Sequence, residues 1–297
     1  MMFRSVASLA CSLVVAACAW PASAPGPAER PLRIAAWNVE HLAEREQSGC
    51  RPRTVAEYAQ LRAYADSLDA DVVAFQEVES AAAAARVFDP AKYVVVIEER
   101  AGSQNRLECR GLPGKFLNRQ AVGFAIRRGL DYERAADLTA LSLGDADLRG
   151  GVDVTVRPRG GQPVRLLSVH LKSGCASGRE RDACEVLFRQ LPVLEGWIDA
   201  RAGEGTRFAV LGDFNRRLAE AGDPFWAEID DASRPNADLE MAAGGAGAAC
   251  DPRYPAFIDH VVLDRRAAAD LVRFEERGFG GGAKLSDHCA VVGELRP

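Results

Sequence analysis

The sequence predicts an α/β protein in which stacked β-sheets are covered by helices. Seven short apolar runs show little polar alternation, which is typical of strands buried on both faces; they cover residues 32–39, 72–75, 120–126, 164–171, 208–211, 258–263 and 290–295. Apolar residues at helical spacing are less frequent. Because the predicted strands outnumber the helices and both faces of many strands are apolar, the sheets must stack on one another with helices outside.

Two segments predict helices. Residues 54–57 (TVAE) have the form of a capping box, and apolar residues at helical spacing follow it as far as Leu68. A second amphipathic pattern is marked by Leu187 and Ile198, and Pro192 between them is expected to bend or restart the helix. Residues 241–249 and 278–282 are rich in small side chains. We interpret them as connecting loops rather than phosphate-binding loops, because neither joins a strand to a helix.

Composition indicates one globular domain. The chain has 297 residues, of which 48% are hydrophobic and 27% charged, and no second linker or repeat interrupts residues 32–297. The formal net charge of −5 disfavours a nucleic-acid footprint over the whole surface, since phosphate binding draws on clustered lysine and arginine. It leaves room for an enzyme that contacts only a few phosphates beside a metal ion.

Residues 1–24 are predicted to be a secretory signal peptide. Arg4 precedes an apolar run over 6–20 that is too short and too rich in alanine for a membrane span. Two processing sites compete: residues 15–18 (VAAC) resemble a bacterial lipobox that would lipidate Cys18, and residues 22–24 (ASA) resemble a signal-peptidase site. A retained anchor is the third alternative. With residues 25–31 as a linker, the sequence predicts a periplasmic or extracellular protein whose membrane contact would be a lipid on Cys18.

The cysteines fit an oxidising compartment. Without Cys11 and Cys18, six of the eight cysteines remain, and an even number in an exported protein predicts disulfides. Cys175 and Cys184 form the best local pair, because they would close a loop directly after a predicted strand. The sequence does not choose among the other pairings, and no spacing matches a zinc site.

Six polar segments stand at or beside the ends of predicted strands. They are Trp37-Asn38-Val39-Glu40, Gln76-Glu77-Val78-Glu79, His170-Leu171-Lys172-Ser173, Gly212-Asp213-Phe214-Asn215, Ile258-Asp259-His260 and Ser286-Asp287-His288. All four histidines of the chain lie within or directly beside these segments. One such histidine is usually structural, but buried ionisable groups are costly unless they are paired or bind a metal. Six together predict one polar site at a common edge of the sheets.

In this order, the six segments resemble the motif series of the endonuclease/exonuclease/phosphatase superfamily. That family includes pancreatic-type deoxyribonucleases, abasic-site endonucleases, bacterial sphingomyelinases and inositol-polyphosphate 5-phosphatases. The resemblance covers residues 32–295, nearly the whole chain after the linker. It implies a four-layer α/β/β/α sandwich, in which two mainly antiparallel sheets pack face to face with helices outside and the active site lies where the strand ends meet.

The resemblance also implies a metal site. Glu77 would be the principal ligand with Asn38 beside it, Glu40 would lie near the metal, and Asp287 would approach the metal or its waters. The expected ion is Mg²⁺, which needs only one or two carboxylates and takes its other oxygens from water and phosphate. Mn²⁺ and Ca²⁺ are alternatives.

The remaining motif residues would perform the chemistry. By the same resemblance, Asp213 and Asn215 would orient the attacking water and the scissile phosphate, and His170 would donate to a phosphate oxygen. Asp259 would pair with His288, fixing its tautomer and raising its proton affinity. The sequence leaves open whether His288 acts as general base or as a charged phosphate clamp.

Four further residues lie close to the motifs. Lys172 follows His170 by two positions, which on a strand would place both side chains on one face and predicts a phosphate contact. Arg119, before a predicted strand, is a second candidate for contacting substrate phosphate. Alternation places His260 on the face opposite Asp259, so it is expected to be structural, and His41 is expected to contact neither metal nor substrate.

Three functions remain open from the sequence. The favoured one is an exported nuclease that hydrolyses DNA or RNA, reading the phosphate backbone with little sequence specificity and acting as a monomer without a stable protein partner. The alternative is a lipid or inositol phosphate phosphodiesterase of the same fold, although no clear aromatic hairpin for membrane insertion is evident. The third is an inactive family member that only binds, against which the retained acids and histidines argue.

Overall fold

The computed structural model of the protein describes residues 30–103, 105–231, 238–280 and 284–297. The predicted signal peptide, both processing sites and nearly all of the linker lie outside these residues. Within the described ranges, none of the helices combines the length and the apolar character that crossing a membrane requires.

Two six-stranded sheets form the centre of the molecule. The first has the order β11-β12-β1-β2-β4-β3 and the second β5-β6-β7-β8-β10-β9. The strands are β1 Leu32–Leu42, β2 Val72–Val78, β3 Tyr93–Ile97, β4 Ala121–Arg127, β5 Asp131–Arg134, β6 Val152–Arg157, β7 Val164–His170, β8 Phe208–Asp213, β9 Leu239–Met241, β10 Asp259–Asp264, β11 Leu271–Arg277 and β12 Ala290–Leu295. In each sheet one central pair is parallel, β1 with β2 and β7 with β8, and the other pairs are antiparallel.

Helices cover both outer faces. They are α1 Val55–Ser67, α2 Ala81–Val87, α3 Asp182–Glu204 and α4 Pro224–Ile229, with a 3₁₀ turn at Thr139–Ser142. A short helix, α5 Arg265–Ala269, instead places Ala267 among the apolar side chains between the sheets. One apolar cluster lies between the sheets, a second joins α1 and α2 to the first sheet, and a third joins α3 and α4 to the second. In β1, Ile34 belongs to the inner cluster and its neighbour Ala35 to the outer one, because successive strand residues point to opposite faces. The predicted four-layer sandwich is therefore confirmed.

The two predicted helices differ in how well their details were anticipated. The capping box before α1 is present: Thr54 accepts from the Glu57 N–H, and Glu57 accepts from the Thr54 N–H. Of the two outcomes expected at Pro192, the restart is wrong, since α3 runs through this residue as one helix, and the bend stays a prediction. Pro192 is exposed, while Leu191 and Leu194 beside it are buried against the second sheet. This packing holds the helix together across the missing N–H.

The described part of the chain contains three disulfides: Cys50–Cys109, Cys175–Cys184 and Cys250–Cys289. The predicted local pair, Cys175–Cys184, is confirmed. The other two bonds join residues 59 and 39 positions apart, which only the folded chain brings together. Three disulfides fit an oxidising compartment, as expected of an exported protein.

Glu195 of α3 gives the fold a specific pH dependence. Both of its carboxylate oxygens are buried and accept no hydrogen bond from the residues that the structure describes. Burial, and then the charges of Asp199, Asp231 and Glu228, raise its pKa from 4.5 to about 7. The folded chain therefore holds this proton more tightly than the unfolded chain, and stability is lost as the pH rises from about 4.5 to about 7.

We expect Glu195→Gln to raise the free energy of unfolding at pH 8 by roughly 1–2 kcal/mol, a value reduced for solvent screening of a partly exposed group. At pH 4 it should change little, because the glutamate is then protonated in both states. Urea unfolding at the two pH values measures this. Glu185→Gln, at an exposed position of the same helix, is the control and should give no gain; equal gains at both pH values would contradict the explanation.

Candidate active site

Strand register brings the polar segments to one edge. In the first sheet, Asn38 pairs with Gln76 across the parallel β1–β2 ladder. In the second, His170 pairs with Asp213 across the parallel β7–β8 ladder, and Asp213 pairs with Asp259 of β10. Neighbouring parallel strands end at the same edge of a sheet, so these side chains converge as the sequence predicted.

The backbone at this edge is strained. Glu40, His41, Glu77 and Asn215 have positive φ angles of 55°, 50°, 61° and 52°, a conformation that non-glycine residues adopt at a cost of about 1–3 kcal/mol each. At three of these positions the backbone N–H donates a hydrogen bond to a side chain of the same site. The Glu40 N–H donates to Asn38 Oδ1 (2.9 Å), the His41 N–H to Glu77 Oε2 (3.0 Å) and the Asn215 N–H to Asp213 Oδ1 (2.7 Å). Strain and functional groups therefore coincide.

Gly212 is required by the close approach of β8 to its neighbours. Its φ is +140°, and a Cβ at this position would collide with the carbonyl oxygen of Val169 and lie 3.0 Å from Gln76 Nε2. Because Gly212 has no side chain, the backbone of β8 can lie directly against Val169 and Gln76. This close approach places Asp213, the next residue, at the polar edge.

We therefore expect Gly212→Ala to lower the free energy of unfolding by roughly 1–3 kcal/mol, because backbone must shift to admit the methyl group. Chemical denaturation monitored by circular dichroism checks this. Gly222→Ala is the matched control, since Gly222 also has a positive φ (+74°) but no atom within 4 Å of its would-be Cβ. If the two variants lose the same stability, the collision is not the cause.

One carboxylate oxygen of Asp213 is the centre of the site. Asp213 Oδ2 lies 3.0 Å from Asn38 Nδ2, 3.5 Å from His170 Nε2 and 3.9 Å from His288 Nε2. Asp213 is 1% exposed. Burial, and then the neighbouring charge of Asp259, raise its pKa to about 7. An acid in this state can take up and release a proton near neutral pH.

His288 and Asp259 form the predicted pair. His288 Nδ1 lies 2.7 Å from Asp259 Oδ2. Burial alone would lower the pKa of His288, but the charges of Asp259 and Asp213 and the hydrogen bond to Asp259 raise it well above 6.5. The segment is fixed from β1: the Trp37 indole N–H donates to the His288 carbonyl (3.1 Å), and the Ser286 hydroxyl donates to the Asn38 carbonyl (2.8 Å). His288 is thus held as an imidazolium.

Glu77 faces Asp213 and His288 from the first sheet. Its Oε1 accepts from Asn38 Nδ2 (3.1 Å), and its Oε2 lies 3.1 Å from His41 Nδ1. Burial would raise the pKa of Glu77, but His41 and the hydrogen bonds from Asn38 and the His41 amide lower it overall. His41, expected to contact neither metal nor substrate, thus contacts the residue predicted to bind the metal, and Gln120 Nε2 lies 3.0 Å from its Nδ1.

His170 is buried between Glu77 and Asp213. Its Nε2 lies 3.9 Å from Glu77 Oε1. Burial, and then the charge of Arg149, lower the pKa of His170 well below 6.5, so this imidazole is neutral. Arg149, which sequence reasoning missed, is buried and donates to the carbonyls of His170 and Leu171 at 3.2 and 2.9 Å. It follows no strand-end motif, and nothing in the sequence marks it.

Glu40 and Asp287 lie on the outer side of the site. The Asp287 N–H donates to Glu40 Oε2 (3.1 Å), and Arg51 Nε lies 3.5 Å from the same oxygen. Burial, followed by the charge of Asp287, raises the pKa of Glu40. The Asp287 side chain is 53% exposed and lies 3.7 Å from His288 Nε2. Asn215 donates from Nδ2 to the Leu171 carbonyl (3.2 Å).

Lys172 and Arg119 are placed differently from the motif acids. The strand β7 ends at His170, so the alternation argument does not extend to Lys172, whose Nζ donates to the Ser173 carbonyl. The Arg119 guanidinium donates to the carbonyls of Glu98 and Arg100 at 2.6 and 2.9 Å. Their phosphate contacts remain predictions. His260 is buried with Nε2 2.9 Å from the Arg216 carbonyl, in keeping with the expected structural role.

The donor set fits a divalent cation in one of two positions. Asp213, Asp259 and His288 present ligand atoms within 4.8 Å of one another. In that group, however, His288 Nδ1 is already bonded to Asp259 Oδ2 at 2.7 Å, and the charges of Asp259 and Asp213 raise the pKa of His288 well above 6.5, so a cation there would have to displace the imidazole proton. The opposite side offers the ionised carboxylate of Glu77, near the acids Glu40 and Asp287, and carboxylate oxygens suit Mg²⁺. The Asn38 amide would join them through Oδ1, which in this structure accepts from the Glu40 N–H while Nδ2 donates to Glu77 and Asp213. Burial, and then the charge of Asp259, raise the pKa of Asp213, and a nearby cation would stabilise the charged form of this buried acid.

The fold and this arrangement of acids, amides and imidazoles define a class of phosphate-ester enzymes. Residues 35–288 match the sequence profile of the Endonuclease/Exonuclease/phosphatase family, to which the chain therefore belongs. Members of this family are typically phosphoric ester hydrolases that use divalent metal ions. No match to the chain was found among curated proteins.

Solved structures show the same fold at low sequence identity. Humanized TDP2 of D. rerio is 18% identical with a TM-score of 0.61, covering 90% of this chain and 99% of that chain. The 3′ phosphatase NExo from Neisseria, bound to product DNA hairpin, is 15% identical with a TM-score of 0.58, covering 89% and 99%. The AP endonuclease LMAP from Leishmania major is 17% identical with a TM-score of 0.56, covering 90% and 88%.

Proposed function

We propose that this chain is an exported, divalent-metal-dependent phosphodiesterase that cleaves DNA or RNA. The observation that carries the proposal is the position of Asp213 Oδ2, which lies within 3.9 Å of Asn38, His170 and His288. A buried acid with a pKa near 7 thus faces a cationic imidazole on one side and the predicted metal ligands on the other. This is the charge pattern that water attack on an anionic diester requires.

Glu77 and Asn38, with Glu40 and Asp287 nearby, would hold the cation, for which Mg²⁺ is the first candidate and Mn²⁺ or Ca²⁺ are alternatives. The cation would neutralise charge that develops on the phosphate during attack. His41 supports this function by orienting the Glu77 carboxylate, whose Oε2 accepts from its backbone amide.

The protein's own side chains would divide the proton chemistry. As the water oxygen bonds to phosphorus and the bond to the leaving ester oxygen breaks, Asp213 Oδ2 takes a proton from the attacking water and the leaving oxygen takes one from solvent. Asn215, whose backbone N–H donates to Asp213 Oδ1, helps to orient the attacking water. His288 is held protonated by Asp259 and acts as the phosphate clamp, while the neutral His170 donates from a ring N–H to a phosphate oxygen. Of the two roles that the sequence left open for His288, its raised pKa favours the clamp.

Nucleic acid is favoured over lipid as the substrate by the surface. The exposed large apolar side chains among the described residues are Val55, Leu107, Tyr254 and Val272, which belong to separate segments. Membrane-inserting surfaces are contiguous apolar patches. Relatives of the same fold include a phosphatase solved with a DNA hairpin. The three disulfides support the exported location, with Cys18 lipidation or cleavage after Ala24 still as alternatives.

Substrate profiling tests the proposal. Purified mature protein is incubated with supercoiled plasmid, RNA, sphingomyelin and bis-p-nitrophenyl phosphate in Mg²⁺, Mn²⁺, Ca²⁺ or EDTA, alongside Glu77→Ala and His288→Ala. Metal-dependent cleavage of plasmid or RNA that is lost in both variants supports a nuclease. Turnover of lipid alone would support the lipid phosphodiesterase, and no turnover with any substrate would support the inactive binding member.

A further inference from the structure

A recess opens directly beside the pair formed by His288 and Asp259. It has a volume of about 360 Å³ and is lined by Asp259 and His288 on one side and by Arg253, Tyr254 and Phe257 on the other. This volume is within the range of small-molecule sites, about 300–1,000 Å³. The roles assigned above to the motif residues make no use of this space.

Residues 249–254, which form the side of the recess that carries Tyr254, are bonded to the rest of the fold. The Cys250–Cys289 disulfide bonds them to the residue that follows His288. The Glu276 carboxylate accepts from the amides of Ala249 and Cys250 at 2.6 and 3.0 Å. Asp251 accepts from the Arg253 guanidinium at 2.6 and 3.0 Å and from Lys284 at 3.5 Å. The segment is therefore held at a fixed distance from His288.

Tyr254 is exposed on this side of the recess. It is 59% exposed, and among the described residues it is the aromatic member of the exposed large apolar side chains. The Arg253 guanidinium lies 5.5 Å from the ring centroid and is itself held by Asp251. A ring that keeps much of its surface in water is available to stack, because an aromatic side chain has few rotatable bonds and loses little conformational freedom when a ligand covers it.

The side chains at the rim of the recess indicate which kind of ligand it would bind. Arg253 and Lys284 both donate to Asp251, and Glu276 and Asp287 also line the recess, so the rim offers hydrogen-bond donors and acceptors rather than net positive charge. Polar groups of both kinds beside the Tyr254 ring suit a flat ligand with polar edges, and they do not suit an acyl chain.

We propose that this recess binds a nucleobase, which stacks on Tyr254 while the phosphate attached to its nucleotide lies at His288. The inference rests on the proposed nuclease function and deepens it, because it assigns a base-binding position next to the scissile phosphate. Stacking of this kind tolerates all four bases, so cleavage would be insensitive to sequence but would require an unpaired or extruded base.

Equilibrium binding tests the recess without any turnover. Isothermal titration of the full mature protein with adenosine monophosphate and with ribose 5-phosphate, in Ca²⁺, compares ligands that differ by the base. We expect about 5- to 100-fold tighter binding of the nucleotide, the range that base stacking provides. Tyr254→Ala should abolish this difference and Tyr254→Phe should retain it. Val272→Ala, an exposed apolar residue of β11, is the control and should leave it unchanged.

Kinetics separate this inference from the proposed function. Tyr254→Ala should raise KM for an oligonucleotide and leave kcat nearly unchanged, since it removes binding rather than a reacting group. If the wild-type protein cleaves nucleic acid but Tyr254→Ala shows the same KM and the same affinity for both ligands, the base site is refuted and the nuclease stands. If no diester is cleaved, the nuclease proposal fails, and base-dependent affinity still decides whether the recess binds nucleotides.

Discussion

Asp213→Asn is expected to lower kcat for phosphodiester cleavage by about 10²–10⁴-fold, the usual contribution of a positioned general base. The amide keeps the shape of the carboxylate and an oxygen for the hydrogen bond from Asn38 (3.0 Å), but it cannot take a proton from water. KM should change much less, because the substrate phosphate is bound by other groups. Steady-state kinetics with bis-p-nitrophenyl phosphate, together with thermal unfolding, measure both effects.

A buried acid outside the site provides the control for this variant. Asp153 is 2% exposed and accepts hydrogen bonds from Arg165 and Trp197. Asp153→Asn should lower the melting temperature and leave kcat per folded molecule unchanged. If Asp213→Asn kept kcat within a few-fold of the wild type, Asp213 would not be the base, and His288 would take over that role.

Glu77→Gln is expected to remove the stabilisation of the fold by Mg²⁺. A cation that binds only the folded state stabilises it by about 2.7 kcal/mol when its concentration is 100 times its Kd. The wild-type melting temperature should therefore rise with Mg²⁺ and fall back in EDTA, and Glu77→Gln should respond far less. Differential scanning calorimetry over a Mg²⁺ series measures this without reference to activity.

Two variants locate the cation. Glu79→Gln is the matched control, because Glu79 is the next acid in the same segment but its carboxylate accepts from Asn118 and from the Glu44 amide. The Mg²⁺ response of this variant should equal that of the wild type. His288→Ala should also retain the response. A response lost in His288→Ala and kept in Glu77→Gln would instead place the ion among Asp213, Asp259 and His288.

Local sequence patterns were sufficient to predict the layers of the fold. Runs such as 72–75 are apolar on both faces, which only a strand between two packed layers requires. The polar ends of those strands could be assigned to one site, because parallel neighbours such as β1 and β2 end together. The excess of strands over helices indicated that the sheets stack, the family resemblance added the four-layer arrangement, and the two six-stranded sheets with an apolar cluster between them bear both out.

Features that depend on distant parts of the chain could not be predicted. Arg149 lies beneath His170 only because the segment before β6 folds back against β7, and the partners of Cys109 and Cys250 are equally non-local. The restart expected at Pro192 is wrong for the reverse reason: the local preference of proline to interrupt a helix is overridden by the packing of α3 on the second sheet. The phosphate contact of Lys172 stays a prediction, but strand alternation does not support it, because β7 ends at His170.

The positive φ angles of Glu40, His41, Glu77 and Asn215 imply a conflict between robustness and activity in this protein. Glycine adopts such angles at little cost, so replacing these residues by glycine would relieve strain while deleting the groups that the chemistry uses. Selection of variants for thermal stability alone would therefore favour glycine at these four positions and yield proteins that are more stable but inactive.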